Sequence, residues 1–139
     1  MATYPYIPLL GKSIYRPYLR IWLSNQANQK RTPRIRGLLD SGSDICLASK
    51  EIGLWLGLHF AEAEETVSIQ TANGSVSHAV KKIVTLITEE SQHECPFFFV
   101  EGITPDQPPL LGQQGFFDHF KVCFDLSNKT FEVGNSAKR

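Results

Sequence analysis

Gly, Pro and Asn divide this chain into short extended runs, a pattern that points to an all-β barrel or sandwich and leaves helix as the minority element. Tyr18-Leu19-Arg20-Ile21-Trp22-Leu23 alternates loosely and reads as a strand, followed by a polar surface loop over residues 24–32 that carries Lys30 and Arg31. Residues 34–39 begin by alternating and finish wholly apolar, which predicts a strand that enters the core and delivers Asp40 to the interior. The best helix spans residues 49–57: Ser49 caps it, Ile52, Trp55 and Leu56 share a face, and Gly57 ends it.

Downstream, Val67 and Ile69 alternate before Asn73-Gly74, and Val76 and Val80 resume the even spacing after it. Asn-Gly between extended runs signals a hairpin, because a type I′ turn needs positive φ at both central residues. Residues 83–88 and 96–100 are apolar enough to be strands buried on both faces, and residues 103–109 form a proline-bearing loop. Leu110-Leu111-Gly112 leads into a short helix-like segment in which Phe116, Phe117 and Phe120 face the core. A closing hairpin follows, with Val122, Phe124 and Leu126 alternating before the turn Ser127-Asn128-Lys129.

The whole-chain quantities narrow the function classes. A length of 139 residues suits one domain, and 42% hydrophobic with 20% charged residues is the composition of a chain that folds. Lys plus Arg equals Asp plus Glu at 14 each, so no global field draws the chain to nucleic acid or to an anionic membrane. No apolar stretch approaches the roughly 18 residues that span a bilayer, and the start lacks the pattern of a signal peptide. A cytoplasmic location is the default expectation. Cys46, Cys95 and Cys123 are odd in number and contain no Cys-x-x-Cys pair, so they read as small buried apolar residues rather than a disulfide framework or zinc site. His93 and Cys95 alone do not make a metal site. Neither metal nor cofactor is expected.

The chemistry centres on Leu38-Leu39-Asp40-Ser41-Gly42-Ser43. A carboxylate directly after two leucines is costly to bury unless backbone groups solvate it or its protonation serves a function. Gly42 permits a tight turn in which N–H groups approach the carboxylate, and Ser41 supplies a hydroxyl. An isolated Asp-Ser-Gly is most often a simple turn. Here it follows a buried strand, and a second apolar-apolar-Gly element, Leu110-Leu111-Gly112, lies far downstream.

In this order of parts the sequence resembles the retropepsin-like aspartic proteases, the cellular and bacterial single-lobed branch more than the viral one. Residues 38–43 look like the catalytic motif, Asn73-Gly74 lies where a flap tip would be, and Leu110-Leu111-Gly112-Gln113 looks like the downstream glycine motif. The resemblance covers residues 18–133, leaving residues 1–17 as an N-terminal extension and 134–139 as a loose tail. It implies a closed acid-protease barrel with one or two short helices, active as a two-fold dimer.

It also implies an endopeptidase that cleaves extended polypeptides. Asp40, Ser41 and Gly42 would be catalytic, and Asp44, Ala72, Asn73, Gly74, Leu111 and Gly112 would bind the substrate. The reaction needs two carboxylates that share a proton, yet Asp106, Asp118 and Asp125 lack the Ser/Thr-Gly that would make a second motif. A homodimer that brings Asp40 against its partner's copy supplies the missing group. Two like charges so close do not both ionise readily, which implies an acid-shifted optimum. Pocket residues would come from Leu38, Ile45, the flap hairpin and residues 108–113, favouring apolar side chains around the cut. One departure stands out: retroviral members usually carry Arg directly after the downstream glycine, paired with the Asp equivalent to Asp44, and here that position is Gln113. The rival readings are a catalytically idle, dimeric peptide-binding module of the same fold and an unrelated β-barrel binding protein.

Overall fold

The computed structural model of the chain describes residues 1–11, 13–60, 66–70 and 74–136. In chain order the elements are β1 (Ala2–Pro5), β2 (Ile7–Pro8), β3 (Tyr15–Arg16), β4 (Tyr18–Asn25), β5 (Lys30–Arg31), β6 (Ile35–Leu39), β7 (Cys46–Ser49), α1 (Lys50–Trp55), β8 (Thr66–Gln70), β9 (Val76–Ile87), β10 (Gln92–Val100), β11 (Leu110–Leu111), β12 (Phe120–Asp125) and β13 (Thr130–Asn135). A short 3-10 helix, Leu126–Asn128, separates the last two strands. Among the described residues no helix is long and apolar enough to cross a membrane.

The centre of the fold is a closed ring of six strands. β4 pairs antiparallel with β6, β6 parallel with β11, β11 antiparallel with β7, β7 parallel with β10, and β10 antiparallel with β9. The ring closes where β9 returns to β4 through Trp22↔Ile87, Leu23↔Leu86 and Ser24↔Thr85. Closure satisfies the backbone on both sides of every ring strand and removes the free edges that an open sheet would carry. The all-β barrel read from the sequence is therefore the architecture adopted. β8 lies outside the ring and pairs with the first half of β9, from Thr66↔Val80 to Gln70↔Val76, so this hairpin projects from the barrel.

Alternation along the strands decides what each face buries. Leu19, Ile21 and Leu23 of β4, Val84 and Leu86 of β9, and Phe97 and Phe99 of β10 fill the main core, together with Phe116, Phe120 and Phe131. The opposite face of β10 sends Phe98 and Val100 into a second cluster with Ala79, flanked by the half-buried Ile45, Leu47, Val67, Ile69 and Ile103. Residues 97–100 are wholly apolar because both faces of β10 are covered. Ile83 differs from the expectation of burial on both faces: it is 54% exposed, on an uncovered outer face of β9.

The helix begins and ends as its sequence signals indicate. Ser49 Oγ accepts from the Ile52 N–H at 3.3 Å. Gly57, at φ +80°, closes a Schellman motif in which Gly57 N–H donates to Leu54 O and Leu58 N–H to Gly53 O. The buried stripe, however, runs through Ile52, Gly53 and Leu56, and Trp55 falls off its edge and is 54% exposed.

Four further expectations are corrected. Residues 24–32 are not simply a surface loop: Ser24 and Asn25 complete β4, and Asn25, like Asn28, donates from Nδ2 to the Leu56 carbonyl at 2.9 Å. Thr32 is also buried, because its Oγ1 accepts from the Leu23 N–H at 3.0 Å. The segment after Gly112 is a series of turns rather than a helix, with Phe117 N–H bonded to Gly112 O and Asp118 N–H to Gln113 O. Gly115, at φ +107°, interrupts any helical course there; Phe116 and Phe120 are buried while Phe117 is only half-buried. Finally, β12 is an edge strand of a small sheet ordered β1-β13-β12, so beyond its buried first residue, Phe120, only Val122 turns toward the core, while Cys123, Phe124 and the following Leu126 are exposed.

The first residues of the chain pair with the last described strand, from Ala2↔Val133 to Pro5↔Thr130. Tyr4 stacks on Phe131 at 5.5 Å and Tyr6 meets the same ring edge-on at 5.7 Å.

Thr32 gives a test of this packing. Thr32→Val keeps the shape but leaves the buried Leu23 N–H without its side-chain acceptor, which should cost about 1–3 kcal/mol of stability in urea unfolding. An unchanged midpoint would contradict the assigned bond.

Candidate active site

β6 carries the chain to Asp40, a short loop follows, and β7 carries it away. The two strands are not direct neighbours, because β11 lies between them, parallel to β6 (Leu110↔Leu38, Leu111↔Leu39) and antiparallel to β7 (Leu110↔Leu47). The loop is thus splayed over an inserted strand and held from both sides. Leu38 N–H donates to Pro109 O at 2.8 Å and Asp40 N–H to Leu111 O at 3.0 Å. On the far side, Gln113 N–H donates to Ser43 O at 2.9 Å and Gln114 N–H to Asp44 O at 3.0 Å.

Gly112 makes this possible. A Cβ there would run into the carbonyl oxygen of Ile45 and lie 2.7 Å from Ser43 O, so no larger residue fits without moving backbone. Leu111 is fully buried and Gly112 is buried beside it, both behind the loop.

Within the loop, the Asp40 carboxylate accepts from the Gly42 N–H at 3.0 Å, and the Asp40 carbonyl accepts from the Ser43 N–H at 3.0 Å. Ser43 Oγ donates to Ile45 O at 2.7 Å, which closes the turn into β7. Asp40 does not sit in the interior as read from the sequence: it is half-buried at the surface, and Ser41, Gly42 and Asp44 are exposed. β6 ends at Leu39, so the buried strand stops one residue before the carboxylate. Asp44 has no ion-pair partner among the described residues. Gln113 donates from Nε2 to the Ser41 carbonyl at 2.8 Å.

Behind the loop lies a layer that sequence reasoning did not assemble. Cys46 and Cys95 are fully buried with their sulfurs 4.0 Å apart, and Cys46 Sγ accepts from the Gly112 N–H at 3.4 Å. The hydrogen bond to Cys46, followed by burial, pushes the Cys95 thiol above its ordinary range, so it remains protonated. Gly115 lies on this pair, since a Cβ there would be 2.6 Å from Cys95 Sγ. Its φ requirement was not visible in the spelling of the sequence, whereas the burial of Cys46 and Cys95 was expected. His93 lies 2.7 Å through Nε2 from Gly115 O and stacks on His119 at 3.7 Å. Among the described residues no group of His, Cys, Asp and Glu is arranged to hold a metal.

Of the expected flap residues, Gly74 has φ +88° and is exposed at the end of the β8–β9 hairpin, while Ala72 and Asn73 lie outside the described residues. The apolar residues at the base of this hairpin, Val67 and Ile69, share the second cluster with Ile45 of the Asp40 loop.

No family model and no curated protein matches the sequence. Among solved structures, the chain is similar to a retropepsin-like aspartic protease from Rickettsia conorii, with a TM-score of 0.64 and 16% sequence identity over 96% of this chain and 98% of that one. The fold is retropepsin-like. At this identity the likeness concerns architecture, and the roles of individual residues rest on the geometry above.

The two loop glycines should respond differently to a methyl group. Gly112→Ala forces backbone apart and should lower stability by about 1–3 kcal/mol or more in denaturant unfolding. Gly42→Ala meets only the Asp40 carboxylate at 3.3 Å and should change stability by less than about 0.5 kcal/mol. Equal effects would contradict the inserted-strand geometry.

Proposed function

We propose that the protein is an aspartic endopeptidase, active as a homodimer in which two copies of Asp40 share one proton. The observation that carries this reading is the half-exposed Asp40 carboxylate, fixed by the Gly42 N–H at 3.0 Å on a face where Ser41 and Gly42 are uncovered. A surface carboxylate held this firmly by its own turn is suited to meet a second one. One chain offers one such group, and a two-fold axis beside it offers the pair.

The chemistry then follows from the shared proton. The ionised carboxylate removes a proton from a water as the water attacks the peptide carbonyl carbon. The protonated carboxyl gives its proton to the carbonyl oxygen; the tetrahedral intermediate then collapses as the first carboxyl passes the water's proton to the leaving nitrogen and a hydroxyl of the intermediate returns a proton to the second. Ser41, exposed beside the axis, bonds across it to its counterpart and locks the loops. Asp44 and the hairpin tip, Ala72, Asn73 and Gly74, hold the substrate backbone in extended form. Leu111 and Gly112 complete the substrate-binding set by holding the loop up from behind. Ile45, Leu47, Val67, Ile69 and Ile103 offer an apolar platform next to the loop, which favours apolar side chains around the scissile bond.

Asp40→Asn removes the shared proton while keeping the shape. It should lower kcat for cleavage of a peptide library at acidic pH by at least about 10²–10⁴-fold, with the fold retained by circular dichroism. Undiminished cleavage by the purified variant would overturn the role of Asp40, and no cleavage by the unmodified protein would favour an idle binding module.

A further inference from the structure

The Ser41–Gly42 peptide is gripped at both ends. Its N–H, belonging to Gly42, donates to Asp40 Oδ1 at 3.0 Å. Its C=O, belonging to Ser41, accepts from Gln113 Nε2 at 2.8 Å. The peptide unit is planar, so fixing the oxygen fixes the direction of the hydrogen. We infer that Gln113 is a positioning residue for Asp40, acting through this peptide plane to aim the Gly42 N–H at the carboxylate.

Two further features support this role. The neighbouring carbonyls, Ser43 O and Asp44 O, are held by backbone N–H groups of Gln113 and Gln114, which any residue could supply. The Ser41 carbonyl is held by a side chain, so its anchoring depends on the identity of residue 113. The peptide also precedes Gly42, whose backbone is permissive, and such a plane flips readily when nothing holds its oxygen. Donation to the carbonyl oxygen in addition polarises the peptide and strengthens the bond its N–H makes. The other charged groups near this peptide are Asp44 on the loop and Asp118, whose Oδ1 is turned back to the Gly115 N–H at 3.0 Å. Ser41, Gln113, Phe117 and Asp118 line one shallow hollow, so the amide is reached from solvent and is not fixed by core packing.

The inference rests on the proposed role of Asp40 only for its effect on turnover, and the test separates the two. Gln113→Met keeps the length and removes the donor; Gln113→Lys removes the amide and restores a donor. In the methionine variant, hydrogen exchange of the Gly42 amide should accelerate by at least about tenfold. Peptide cleavage should show kcat reduced about tenfold to a hundredfold with little change in KM. The lysine variant should recover most of each quantity. Unchanged Gly42 exchange in a folded methionine variant would overturn the positioning role whatever the activity. Altered exchange with no cleavage by any form of the protein, the unmodified one included, would leave the positioning role standing and count against the protease reading alone.

Discussion

The contact between Gly112 and the backbone at Ser43 and Ile45 is the constraint on which the rest of the site depends. It lets a two-residue strand, Leu110–Leu111, pass between the strands on either side of the Asp40 loop. Once there, that strand fixes Asp40 through its N–H and closes the ring between β6 and β7. Barrel closure and presentation of the carboxylate are therefore one structural event. A methyl group at residue 112 would oppose both, since protein interiors transmit such overlaps rather than absorb them.

Much of this arrangement was legible in the sequence because the signals were local. Leu-Leu-Asp-Ser-Gly and Leu-Leu-Gly each combine a buried strand with an obligatory turn, and the helix cap at Ser49 and its termination at Gly57 obey the same local chemistry. The hairpin joining β8 and β9 followed from even spacing on either side of Asn73-Gly74. Readings failed where tertiary partners decided the outcome. Thr32 and Asn25 look like loop residues until Leu23 and Leu56 are brought against them, and Phe124 looks like core until β12 proves to be an edge. The expected immersion of Asp40 was overstated because burial ends with Leu39. Gln113 was recognised as a departure, but its turn toward the Ser41 carbonyl depends on a loop 72 residues away in sequence.

That departure has a physical consequence for assembly. An arginine facing Asp44 would contribute an ion pair, whereas an amide facing Ser41 contributes a neutral hydrogen bond within its own chain. The amide stiffens the loop without adding charge at the surface a partner would cover, and an uncharged contact avoids the desolvation that a buried ion pair incurs. At the chain ends, β1 pairs with β13 of the same chain, and β1 and β12 form the two edges of this three-stranded sheet.

The central claim is that the active site is assembled from two copies of Asp40, and subunit mixing tests it most directly. Wild-type chain equilibrated with an equal amount of Asp40→Asn chain forms mixed dimers that each hold one carboxylate. Cleavage per wild-type chain should then fall to about half, and further in proportion as the variant is added in excess. Activity that stays constant per wild-type chain at every mixing ratio would contradict a shared site.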